Sequence, residues 1–288
     1  MANTIVLKRR IGSVKNTKQI TKAMELVAAS KMRRAQEFAQ HGRAYREAAY
    51  SLLTRLSAIT EVNDHPLFVK RDIKTRLYVV ITSNRGLAGS YNSNVIRLLA
   101  KAIVEDSKTG VKSQVVAIGK QAAQFARRLE GVDLVAAYDG FGDQPTSNDV
   151  RPLLSSLSGM YADKKVDDVQ LIYTEFKTNI VQIAKSLSLL PARFEATENV
   201  DSLAQVTFEP SVAEVLDSVT ERLLEVQLWQ ALLESLASEH SMRMMAMKSA
   251  TDNASDLIDD LTLAFNTARQ SAITQELAEI TGGAEAMK

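Results

Sequence analysis

The chain has 288 residues, 45% of them hydrophobic, with 35 Lys or Arg against 34 Asp or Glu and no cysteine. Ordinary apolar and charged content predicts a soluble protein, and the missing cysteines exclude a disulfide framework or a thiolate metal site and fit a reducing compartment. No run of about 20 apolar residues could span a bilayer, and Met1–Arg10 carries charge where a signal peptide needs its apolar core.

All five prolines lie between Pro66 and Pro210. Proline costs a helix interior about 3 kcal/mol and glycine about 1 kcal/mol, so the proline-free stretch 1–65 is predicted as one very long helix. Along it Leu7, Ile11, Val14, Thr17, Thr21, Met24, Ala28, Met32, Ala35 and Phe38 recur at spacings of mostly three and four. Such a seam needs a partner helix. At 1.5 Å per residue, Asn3 to Ala58 would reach about 80 Å, farther than a compact domain is wide.

From Pro66 to Glu195 the period changes. Strands are predicted at 77–82, 113–118, 134–138, 169–176 and 181–190, and helices at 92–106, 121–129 and 148–161. Pro191 closes the last strand, which places that strand at an edge. Alternating strands and helices imply a mostly parallel, Rossmann-like sheet covered on both faces, in a segment long enough to bury its own core. Residues 196–210 are polar and irregular and read as a linker or loop.

Residues 211–288 are predicted as a second long helix, with no glycine between Ser211 and Thr281 and a reach of about 105 Å. One seven-residue row runs Leu216, Leu223, Gln230, Ala237, Met244, Thr251, Ile258, Phe265, Ala272. Its neighbour runs Val219, Val226, Leu233, His240, Met247, Ala254, Leu261, Ala268. The two terminal helices are each other's nearest counter-charge: residues 1–60 carry 12 basic against 3 acidic side chains, and residues 211–288 carry 5 against 13. The resulting fold class is α/β, a long antiparallel coiled coil of N- and C-terminal helices with an inserted α/β domain. A basic helix docking on nucleic acid or an anionic membrane surface is the competing reading, and the acidic helix in the same chain argues against it.

Few residues suggest chemistry. Arg85-Gly86 and Gly89 follow a strand and open a helix, where backbone amides can hold anions, but no GxxxxGK[ST] or GxGxxG pattern occurs and Gly119-Lys120-Gln121 lacks the upstream glycine. The glycines are read as tight strand-to-helix turns; an enzyme binding its own nucleotide is the alternative. His41, His65 and His240 are dispersed without carboxylates at metal spacing, so no metal and no cofactor is expected, and His240 reads as a polar position on the seam. Asp167-Asp168 and Asp259-Asp260 read as solvated faces. Met242, Met244, Met245 and Met247 surround Arg243; Met244 and Met247 lie on the seam, while Arg243 and Met245 are placed outward.

The chain resembles the gamma subunit of F-type ATP synthase along essentially its whole length. The resemblance rests on Gln19-Ile20-Thr21-Lys22-Ala23-Met24 with Val27-Ala28-Ala29-Ser30-Lys31-Met32, on Ser83 to Gly89, and on Met245-Ala246-Met247-Lys248 with Thr251-Asp252-Asn253-Ala254. Phe265-Asn266-Thr267-Ala268-Arg269-Gln270, Ile273-Thr274-Gln275-Glu276 and Gly283-Ala284 complete it. The resemblance implies a non-catalytic rotor, with paired terminal helices inside a ring of alpha and beta subunits and the α/β domain meeting the epsilon subunit and the membrane c-ring. It implies beta-subunit contacts at Arg269, Gln270, Thr274 and Glu276, and contacts with the moving beta lever at Met24 and Arg243. It places Val206-Thr207-Phe208-Glu209 over the c-ring, with Phe208 and Glu209 as contacts, although the tyrosines some relatives carry there are missing. It also implies a peripheral position on the cytoplasmic face of the bacterial inner membrane. Asn84 and Ala88 stand where relatives often have Asp and Cys, and the cysteine-bearing insertion of chloroplast relatives is missing, which excludes thiol control of that kind.

Overall fold

The computed structural model describes residues 2–59, 66–142, 144–192 and 212–286, with side chains apart from those of 2–3, 39–59, 212–213 and 285–286. Along the chain come α1 (Ala2–Ile59), β1 (Thr75–Ile81), α2 (Tyr91–Thr109), β2 (Lys112–Ile118), α3 (Lys120–Ala126), β3 (Asp133–Tyr138), α4 (Ser147–Ala162), β4 (Asp168–Phe176), β5 (Gln182–Leu190) and α5 (Val212–Ala286). The two predicted long helices and the α/β segment between them are all present. They build two compact units, Met1–Ala28 with Arg243–Lys288, and Ala29–Met242.

In the first unit the terminal helices run antiparallel. On α1 a row of less exposed positions runs Thr4, Leu7, Ile11, Val14, Lys18, Thr21, Met24 and Ala28; on α5 one runs Met247, Thr251, Ala254, Ile258, Leu261, Phe265, Ala268 and Ala272. Both sets step by three and four, alternating throughout α5 and on α1 everywhere but at Thr21 to Met24, the signature of a left-handed pair that keeps one seam inward. The predicted α5 rows are the two sides of this stripe. Within it the Thr251 hydroxyl donates to Thr21 Oγ1 at 2.8 Å, a polar rung among alanines and methionines. The predicted α1 row needs two corrections: Phe38 is 38% exposed, and Thr17 is exposed and bonds back to the Ser13 carbonyl at 3.2 Å, while Lys18 takes the seam position. A lysine can do so because its methylene stem covers apolar surface while the ammonium reaches water.

The second unit holds a five-stranded sheet of order β3-β2-β1-β4-β5. β1 pairs parallel with β2 and β4, β2 parallel with β3, and β5 antiparallel with β4. All five predicted strands are present, and the one that ends at Pro191 is an edge strand. Alternation along β1 sends Leu77, Val79 and Ile81 to a core shared with α4 and α5, and Tyr78 and Val80 to a core facing α2 and α3. Of the predicted helices, α3 is shorter than expected, because after Ala126 the chain tightens into bonds from Arg128 to the Phe125 carbonyl and from Leu129 to the Ala126 carbonyl.

α5 docks on this sheet through a third row absent from the two-row seam reading. Leu224, Leu228, Ala231 and Leu232 are buried in the sheet core. Burying a leucine side chain contributes about 1.5–3 kcal/mol, against about 1 kcal/mol for a net hydrogen bond, so apolar packing holds α5 here. The polar contacts fix its rotation. Ser235 Oγ lies 2.7 Å from the Tyr91 hydroxyl, Ser238 Oγ donates to the Thr174 carbonyl at 3.3 Å, and Ser241 Oγ donates to the Asn179 carbonyl at 2.8 Å. Trp229 Nε1 donates to the Pro145 carbonyl at 2.8 Å.

At the amino end of the sheet a buried polar cluster joins four elements. The Arg76 guanidinium pairs with Asp106 and, at 2.6 Å, with Asp168; the Tyr78 hydroxyl donates to Asp106 Oδ2 at 2.6 Å and the Ser113 hydroxyl to the same oxygen at 3.1 Å. Burial, then the bond to Asp106, pushes the Tyr78 phenol up. Burial opposes the Arg76 charge, yet its bonds to Tyr78 and Asp168 hold its pKa above the usual value. The Asp167-Asp168 pair is therefore no solvated face: Asp168 is buried, and the Asp167 carboxylate accepts the backbone amides of Lys74 at 2.9 Å and Thr75 at 3.0 Å.

Tyr173, buried under Lys185 and near Glu234, has its phenol pushed up to about 12, first by burial and then by the Glu234 charge. A raised phenol pKa means the folded state prefers the neutral form. This contribution to stability is complete below about pH 10 and is lost as pH rises toward 12. Tyr173→Phe is expected to flatten that alkaline decline in denaturant titrations between about pH 9 and 12; an unchanged slope would show that Tyr173 is not its source.

Candidate interaction surfaces

At the carboxyl end of the sheet, where an α/β fold would receive a nucleotide, the chain occupies its own donors. The backbone amide of Lys120 is bonded to Asn84 Oδ1 at 3.1 Å, that of Gln121 to the Ser83 carbonyl at 3.3 Å, and that of Ala122 to Thr82 Oγ1 at 2.9 Å. Ser83 is held in turn by Asn92, whose Oδ1 accepts the Ser83 amide at 3.0 Å. The helix start that could have cradled a phosphate is thus capped by side chains and backbone of the β1–α2 turn. In that turn Gly89 adopts φ 56° and Leu87, exposed to solvent, adopts φ 62°. The expected role of glycine as a turn residue holds for Gly89 and Gly119.

Among the described residues no three His, Asp or Glu side chains are arranged to hold a metal ion. His240 is buried on the seam row where the sequence placed it. Among the described residues no helix is long and apolar enough to cross a membrane.

The sequence-predicted contact residues within the described segments fall into two groups. Arg269, Gln270, Thr274 and Glu276 are all exposed on successive turns of α5, and the Thr274 hydroxyl bonds back to the Gln270 carbonyl at 2.9 Å, leaving the face open. Met24 on α1 and Arg243 on α5 belong to the first unit and are each half-buried. Met24 follows Thr21 by one turn on the seam, so it packs against the partner helix as well as reaching solvent. Met245 is 42% exposed and Met247 is buried, as the heptad rows require, while Arg243 is less open than expected. Phe208 and Glu209, with the rest of the 206–209 segment, lie outside the described residues.

Apolar side chains turned to solvent are what seam reasoning missed. Ile20 and Leu26 on α1 are each 60% exposed, and on α5 Leu263, Ile273, Leu277 and Ile280 are between 49% and 70% exposed. Ile273 and Ile280 share the Arg269–Glu276 face at steps of three and four. Their signal was available: they are large apolar residues off both heptad rows. An apolar outer surface on a paired helix implies a surrounding protein surface.

Comparison with known proteins bears on what that surface is. A family model described as ATP synthase matches residues 3–287. The chain is 41% identical over 290 residues to the ATP synthase gamma chain of Acidithiobacillus ferrooxidans, with 100% of both chains covered. It is 43% identical over 296 residues to that of Herpetosiphon aurantiacus, covering 100% of this chain and 99% of the other. Among solved structures it is similar to a chain of the Tetrahymena thermophila mitochondrial ATP synthase central stalk and c-ring, with a TM-score of 0.64, 27% identity, and coverage of 80% of this chain and 99% of that one.

Proposed function

The chain belongs to the ATP synthase gamma-chain family, a non-catalytic subunit of the central stalk, and we propose that it is the rotor coupling ring rotation in the membrane to conformational change in the catalytic beta subunits. In this reading residues 1–65 and 211–288 form the shaft inside alternating alpha and beta subunits, 66–195 the domain that meets the epsilon subunit and c-ring, and 196–210 the connecting loop. The driving ion is a proton or sodium, and the complex sits on the cytoplasmic face of a bacterial inner membrane, as the bacterial origin of the relatives suggests.

The observation that carries this reading is the pairing of the chain's two ends along one seam with large apolar residues left on the outside. One such helix pair inside a ring of three equivalent catalytic subunits must present a different face to each. Rotation then moves each face to the next subunit in turn. A rotor transfers only as much free energy as its contacts differ between states, so chemically unlike faces are a requirement of the mechanism. The exposed apolar residues beside Arg269 and Glu276 differ from the charged remainder of α5 in this way.

Arg269, Gln270, Thr274, Glu276, Met24 and Arg243 act as contacts with the beta subunits, and Phe208 and Glu209 as contacts with the c-ring. Arg269→Ala tests the assignment. Loss of an interfacial arginine costs about 1–2 kcal/mol, a roughly fivefold to thirtyfold weakening, whereas an exposed helix position changes intrinsic stability by only about 0.5 kcal/mol. The variant chain should therefore melt like the parent but give a complex with reduced ATP-driven ion pumping per ATP hydrolysed. A wild-type pumping ratio would remove Arg269 from the contact surface.

A further inference from the structure

Within the second unit, the β4–β5 hairpin ends in a turn closed by its own backbone and one side chain. The amides of Lys177 and Thr178 donate to the Val181 carbonyl at 3.2 and 3.1 Å, and Thr178 Oγ1 accepts the amides of Ile180 at 3.3 Å and Val181 at 3.0 Å. Apolar burial does not hold this tip in place, since Ile180 is 78% and Val181 45% exposed. Polar bonds to both long helices do, and they converge on Asn179. Its side-chain Oδ1 accepts Gln36 Nε2 of α1 at 2.9 Å, and its carbonyl accepts Ser241 Oγ of α5 and Gln182 Nε2 of β5, both at 2.8 Å.

The surrounding contacts are of another kind. α5 is seated on the sheet by Leu224, Leu228 and Leu232, and on α1 Met32 and Ala35, next to Gln36, are buried. Apolar contact is non-directional, so it tolerates a small turn or slide of a helix, whereas a hydrogen bond holds only near one distance and angle. We propose that Asn179 is a positioning residue: its side chain locks α1, and its carbonyl α5, to the β4–β5 hairpin, so that these helices turn with the sheet under load rather than slip against it. The proposal rests on the rotor assignment above, because only a rotor carries such a load.

The test uses the intact complex in sealed vesicles and measures ions pumped per ATP hydrolysed, with and without an opposing ion gradient. For Asn179→Ala the ratio should match the parent without a gradient. Against one, turnovers that move no ions should rise about fivefold, the shift in population that one net hydrogen bond controls. Gln36→Ala should give the same loss and the double variant no more, as expected of two residues acting as one pair. Asn179→Asp should behave as the parent, since Gln36 uses only the oxygen of this side chain. A parental ratio for Asn179→Ala against the gradient, an equal loss without one, additive losses in the double variant, or an Asp variant as poor as the Ala variant would each overturn the proposal. If the parent complex pumps ions, any of these results removes the Asn179 assignment alone. If the parent itself hydrolyses ATP without moving ions, the rotor assignment falls and the Asn179 assignment with it.

Discussion

A Gly119→Ala chain is expected to lose more than about 4 kcal/mol of the stability of its α/β unit, the range in which a single substitution reports a backbone that cannot adapt. Gly119 joins β2 to α3 at φ 96°, a conformation that side-chain-bearing residues rarely adopt. A Cβ there would stand 2.1 Å from the Thr82 carbonyl oxygen and 2.7 Å from its carbon, so the obstruction is backbone rather than a movable side chain. Neither partner can retreat easily. The Thr82 amide is bonded to the Ile118 carbonyl and the Gly119 amide to the Tyr138 carbonyl, both at 2.8 Å, which ties the turn to β1, β2 and β3 together. Gly86→Ala is the control, since a Cβ at Gly86 meets nothing within 4 Å and its φ is not in the left-handed region. Urea unfolding followed by circular dichroism should separate the two variants clearly; equal losses would show that the Gly119 turn is not the constraint described.

Asp106→Ala is expected to cost about 3–5 kcal/mol, the usual result of removing one member of a buried ion pair. Asp106 is 1% exposed and accepts from Arg76, Tyr78 and Ser113, so alanine would take one of two carboxylate partners from the half-buried Arg76 guanidinium and strand two buried hydroxyls at once. Asp168 alone would then face Arg76. The destabilisation comes from the orphaned partners more than from the lost attraction, and this gives the test its second arm. Converting Arg76 to Leu in the same chain should restore part of the loss, because the largest orphan disappears with it. Additive losses in the double variant would show that Asp106 and Arg76 are not energetically coupled.

These two sites also mark what the sequence could and could not reveal. The long helices were legible because proline and glycine are missing from them and because two seven-residue rows persist from Leu216 to Ala272; burial follows those rows through Met247, Thr251, Ala254 and Ile258. The strands were legible from β-branched runs such as Leu77–Ile81 bounded by turn residues. The Arg76–Asp106–Asp168 cluster was not, since its members are separated by 30 and 92 positions and only the parallel pairing of β1 with β4 brings two of them together. The sheet-facing row of α5 was hidden for a different reason. Between Leu223 and Ser241 the helix is buried on nearly all sides, so a two-row seam accounted for its apolar residues without requiring the third contact made by Leu224, Leu228 and Leu232. The Arg269–Glu276 face owed its prediction to family resemblance; periodicity alone identifies it only as a face off the seam.

Single-molecule observation of this chain within its complex is the most direct measurement of the rotor assignment. With the ring of alpha and beta subunits fixed to a surface and a probe attached to this chain, ATP should drive unidirectional rotation of the probe in repeated steps. Continued ATP hydrolysis by the same complexes with the chain stationary relative to the ring would contradict the assignment outright.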